Sequence, residues 1–90
     1  MANKRDLKSS IHYITSALFA ECVAASLYNG NPKQEDVDGI LSAIVMVNDD
    51  YISRISHLEP GIKPNVYYKN LISNFNKQVG EIIDQINNLA

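Results

Sequence analysis

Cysteine is nearly absent from this 90-residue chain, and tryptophan is wholly absent. The single cysteine, Cys22, excludes an intrachain disulfide and any zinc site built from several thiolates. A lone thiol suits a reducing compartment, so a cytoplasmic setting is expected. Long apolar runs are missing as well. The longest unbroken one, Ala43-Ile44-Val45-Met46-Val47, falls far short of the roughly 18 residues that suggest a membrane span. The opening Met1–Asp6 is charged, no apolar signal core follows it, and no Asn-x-Ser/Thr acceptor occurs, so neither secretion nor a membrane partner is expected. Charge of one sign is not in excess either. Eight Lys and Arg against ten Asp and Glu give a net charge of −2, which supplies no global basic field for nucleic acid.

Proline and glycine are few, and their placement divides the chain. Asn29-Gly30-Asn31-Pro32 forms one break: Gly30 can take the left-handed conformation that ends a helix, Asn31 can cap the next, and Pro32 suits a first helical position. Glu59-Pro60-Gly61-Ile62-Lys63-Pro64 forms the second, with the preceding helix stopping near His57 or Leu58 and Pro64 starting the third. Between the breaks, apolar residues recur in steps of four and three. The stripes are Leu7, Ile11, Ile14, Leu18, Glu21, Ala25 and Tyr28, then Val37, Leu41, Ile44, Asn48, Tyr51, Ile55 and Leu58, then Tyr68, Ile72, Phe75, Val79, Ile82, Ile86 and Leu89. This predicts one all-α domain over residues 1–90, an antiparallel up-down-up three-helix bundle with helices at about 4–28, 32–58 and 64–88.

The stretches Leu18-Phe19-Ala20-Glu21-Cys22-Val23-Ala24-Ala25-Ser26-Leu27-Tyr28 and Ile55-Ser56-His57-Leu58-Glu59-Pro60-Gly61 resemble an uncharacterised family of short bacterial all-helical proteins. The resemblance implies a bacterial, cytoplasmic protein. It implies no activity, cofactor or site residue.

Catalytic and metal motifs are missing. There is no His-Glu-x-x-His, no Glu-x-x-His pair and no phosphate-binding glycine loop. Asp36-Val37-Asp38-Gly39 fails as a calcium loop, because Gln34 and Val45 would fill positions that need acids. In the bundle His12 should lie level with Asp49 and Asp50, a pairing that could make a general base. His12 nevertheless falls outside the stripe, beside Lys8 and Ser16, and reads as solvated. His57 reads as a partner for a helix end. Glu21 and Asn48 are the polar members of the stripes and read as register-setting residues. Cys22 reads as a small core residue, and Tyr51 and Tyr68 as core aromatics. No enzyme, cofactor or metal is expected.

Two surface features remain. The first is a separation of charge. Lys4, Arg5, Lys8, Arg54, Lys63 and Lys69 gather at one end of the bundle, partly offset by Asp6 and Glu59. Glu35, Asp36, Asp38, Glu81 and Asp84 gather at the other. The second is a spare apolar stripe. Phe19, Val23 and Leu27 lie away from the main stripe of helix 1, with Ala17, Ala20 and Ala24 between, and Met46 stands opposite the main stripe of helix 2. A helix that is apolar nearly all round is central in a larger core or covered by a partner. The expected function is a non-enzymatic protein-interaction module, self-associating as a two-fold dimer through helix 1 or binding another protein. The alternative is a nucleic-acid or small-anion binder using the basic end.

Overall fold

Gly30 and Gly61 take φ of 72° and 85°, the left-handed region that costs other residues most, and each stands in a break between two helices. A computed structural model describes residues 4–28, 30, 32–58 and 60–89. Three helices fill it: α1 (Lys4–Tyr28), α2 (Gln34–Ser56) and α3 (Pro64–Asn87). Pro64 opens α3, where its missing N–H is no loss. The start of α2 differs from the sequence expectation. Lys33, in extended conformation, is its N-cap, so α2 begins at Gln34 and Pro32 remains outside. Asn31 lies outside the described residues.

Tyr51, Ile55, Leu7, Ile11, Leu71 and Phe75 cluster at one end of the bundle. Leu18, Cys22, Val37, Ile40, Ile44, Ile82, Ile86 and Leu89 cluster at the other. Positions thus rise along α1, fall along α2 and rise along α3 from one cluster to the next, which makes an antiparallel up-down-up bundle. It is a rod of 49 × 19 × 16 Å. α1 and α2 share the broadest interface, and α1 and α3 the narrowest.

The buried line departs from the predicted stripes by one position at several levels. Thr15 and Cys22 are buried, while Ile14 is half-buried and Glu21 exposed. Ile40 is buried and Leu41 half-buried, and Leu71 is buried while Ile72 is exposed. Tyr28 is also exposed. The cause is the helical period: a straight α-helix has 3.6 residues per turn and drifts off a strict 3.5 repeat by about 20° per heptad. Over helices of 25, 23 and 24 residues that drift carries a neighbour into the core.

At the basic end α3 is tied to α2 through tyrosines. Tyr67 Oη donates to the Arg54 carbonyl at 2.9 Å, and Tyr68 Oη lies 3.5 Å from the Ile55 carbonyl. Both acceptors belong to the last turn of α2, whose carbonyls lack helical partners.

The one-position drift gives a direct expectation for α3. Leu71→Ala should destabilise the fold by about 2–4 kcal/mol, because it empties a packed site. Ile72→Ala should cost under about 1 kcal/mol. Urea midpoints of the two variants check this, and equal losses would contradict the observed burial.

Candidate interaction surface of α1

Between Ser9 and Tyr28 α1 carries one formally charged residue, Glu21. Its inner side faces the two neighbouring helices. Its outer side carries Ser9, Tyr13, Ser16, Ala20, Val23 and Leu27, all exposed and spaced by alternating steps of four and three. That spacing is the seam of a coiled coil. It is a second seam, with Tyr13 77% and Leu27 74% exposed. The outer faces of the other helices are built differently. α2 presents Glu35, Asp38, Ser42, Asp49 and Ser53 to solvent with Val45 and Met46 among them, and α3 presents Val66, Lys69, Ser73, Asn76, Gly80 and Asp84.

The apolar residues expected to form an interface are all exposed, at 40% for Phe19, 38% for Val23, 74% for Leu27 and 70% for Met46. They do not share one face. Val23 and Leu27 belong to the outer seam. Phe19 borders a cleft of about 150 Å³ toward α2, which it lines with His12, Thr15, Ser16 and Val45. Met46 lies on the back of α2, opposite the row that buries Ile40 and Ile44, and does not join α1. On the other flank a groove of about 330 Å³ separates α1 from α3. Tyr13, Ile14, Ala17 and Leu18 line one wall, Val79, Ile83 and Ile86 the other, with Glu21 and Asn87 at its edge. Sequence reasoning missed Ser9, Tyr13 and Ser16 as seam members, since serines conceal an apolar pattern. The spacing of Tyr13, Ala20, Val23 and Leu27 was the available signal.

Glu21, read from the stripe as a register-setting residue, is exposed. Asn48, the other, is half-buried and meets α1: Thr15 Oγ1 donates to Asn48 Oδ1 at 2.8 Å, bridging α1 and α2. The same hydroxyl lies 3.1 Å from the Ile11 and His12 carbonyls, which compete with Asn48 for its single proton. Asn48 Nδ2 reaches Asp49 Oδ1 at 3.3 Å.

The His12–Asp pair does not form. The Asp50 carboxylate holds Arg54, with Oδ2 at 3.1 Å from Nη2 and Oδ1 at 3.1 Å from Nε, while Asp49 turns to Asn48. His12 is an exposed neighbour of the cleft at Phe19. His57 meets the end of α2: its backbone N–H donates to the Ser53 carbonyl at 3.0 Å, and its Nδ1 lies 2.9 Å from the same oxygen. Among the described residues no three His, Cys, Asp or Glu side chains stand close enough to hold a metal ion. Cys22 is fully buried, and burial pushes its thiol above the usual range, which disfavours the nucleophilic thiolate.

At the basic end Lys4, Arg5, Lys63 and Lys69 are exposed and Lys8 is half-buried. Arg54 is committed elsewhere. Besides gripping Asp50, its guanidinium carbon lies 5.0 Å from the centroid of the Tyr51 ring. Glu59 lies outside the described residues. By length and composition α1 is the one helix among the described residues that could cross a membrane, although no unbroken apolar run announced it. A mostly buried core helix and a signal sequence share that length and composition; α1 supplies residues to both core clusters, and 22% of its apolar stretch is buried.

No family model, curated protein or solved structure matches the chain. What the surface can do is therefore read from its own residues.

Tyr51 provides a pH-dependent test of the packing beneath Arg54. Its ring is fully buried, edge-on to Phe75 at 5.3 Å, and its hydroxyl accepts from Gln78 Nε2 at 2.9 Å. Burial pushes its phenol above the ordinary range against the pull of Arg54. The fold thus keeps the proton more tightly than the unfolded chain. That stability is fully present below the unfolded value of about 10 and is lost as pH rises past it. Urea midpoints should fall above pH ~10, and more steeply than in Tyr51→Phe, whose loss of the Gln78 bond costs about 1 kcal/mol at every pH.

Proposed function

We propose that the chain is a non-enzymatic helical interaction module that self-associates through the outer face of α1. The observation that carries this reading is the exposed seam Ser9, Tyr13, Ser16, Ala20, Val23 and Leu27, uncharged along its whole length. Isolated exposed apolar residues are ordinary, but a continuous row with coiled-coil spacing is a surface suited to another helix. Flanking grooves toward α2 and α3 offer room for the partner's larger side chains. The candidate proton-transfer groups are dispersed: the His12 ring is apart from Asp49 and Asp50, Glu21 is exposed, and Cys22 is sealed in the core. This dispersal supports a binding role over a catalytic one. Anion binding at the basic end is the weaker reading, since Arg54 is already held by Asp50.

Mass measurement across protein concentration tests the module. The chain should be dimeric by high micromolar concentration, and Val23→Asp with Leu27→Asp should shift it to monomer by at least tenfold in the dissociation constant, with helical content retained. A wild-type monomer throughout that range would sink the reading.

The same proposal places the protein in the cytoplasm, with α1 packed in the bundle rather than in lipid. The support is the share of its inner side given to both cores, and a lone buried thiol that suits a reducing compartment. Cell fractionation should recover it in the soluble fraction, and retention in membranes after a high-salt wash would contradict this.

A further inference from the structure

We infer that two copies of the chain pair antiparallel along the outer seam of α1, with the basic end of each beside the acidic end of the other. The inference rests on self-association through α1 and goes beyond it by fixing the partner's orientation.

The seam is symmetric about the level of Leu18. An antiparallel pairing centred there sets Ser9 opposite Leu27, Tyr13 opposite Val23, and Ser16 opposite Ala20. Small residues then meet at the axis, where the helices approach most closely, and each larger side chain faces a smaller or branched one. A parallel pairing would instead stack Tyr13 on Tyr13 and place serine against serine at two levels.

Charge selects the same orientation. In the described residues the basic half of the rod holds six cations, Lys4, Arg5, Lys8, Arg54, Lys63 and Lys69, against Asp6, Asp49 and Asp50. The other half holds Glu21, Glu35, Asp36, Asp38, Glu81 and Asp84 against Lys33 and Lys77. The rod is 49 Å long, several screening lengths at physiological salt, so each end acts on what lies directly beside it. Antiparallel copies set opposite ends side by side, and parallel copies set like ends together.

Disulfide trapping distinguishes the arrangements. In a Cys22→Ala background, Ser9→Cys and Leu27→Cys proteins mixed together should form a covalent dimer under mild oxidation, and neither should cross-link alone. Two Ser9 positions would stand about 27 Å apart in the antiparallel pair. If Cys22→Ala loses helical content, the same pairs are made with native Cys22, whose thiol is buried. Dimerisation of the wild type should also weaken several-fold from about 0.05 M to about 0.5 M salt. A dimer in which Ser9→Cys cross-links to itself, or which tightens with salt, overturns the antiparallel orientation and leaves self-association standing. A dimer that traps neither pair overturns the seam. A monomer at high micromolar concentration overturns both inferences together.

Discussion

A helix in a three-helix bundle touches two neighbours, so only part of its circumference can be taken out of water. α2 and α3 keep closer to that limit, with charged and polar residues along most of their outer faces and Val45, Met46 and Val66 breaking the rows. α1 exceeds it. Its inner side contributes Leu7, Ile11, Thr15, Leu18 and Cys22 to the core, and its outer side repeats a second seam that the bundle leaves in solvent. The surplus makes α1 long and apolar enough to cross a membrane, and grooves lie along both of its flanks. The surplus is also what makes a covering partner the economical reading of the surface.

The Thr15–Asn48 bond is a polar contact between α1 and α2 inside an otherwise apolar assembly. Thr15 is the one buried polar residue among the described residues, and its hydroxyl is met by a residue of α2 rather than left unpartnered. Sliding α1 along α2 by one turn would separate the pair and return the Thr15 hydroxyl to the Ile11 and His12 carbonyls of its own helix.

The helices were legible in the sequence because their boundaries depend on local chemistry. Gly30, Gly61 and Pro64 act through backbone conformation and need no knowledge of distant residues. The core was legible to within one position. Counting in sevens placed Glu21 and Ile72 inside, where the helical period places Cys22 and Leu71. Asn48 was identified as a register residue, but Thr15 was not, since a threonine next to Ile14 gives no sign of which one turns inward. The polar ends were visible as composition. Arg54 was counted as free because its tie to Asp50 and Tyr51 depends on rotamers and on the depth of a ring, which spacing alone does not convey. The outer seam was only partly visible, since Ser9 and Ser16 read as polar though their small side chains suit close helix contact.

The unequal helix interfaces also bear on how the rod comes together and loosens. α1 and α2 are neighbours in sequence and share the broadest contact, so they form the local, low-entropy part of the assembly. α3 has the narrowest hold on α1 and leaves a groove between them. Local opening in such a molecule begins at its least packed boundary, which gives α3 the lowest-energy route away from the rest. The α1–α2 hairpin is the more closely packed part of the molecule. A molecule built this way keeps its outer seam presented on the most persistent part of its fold.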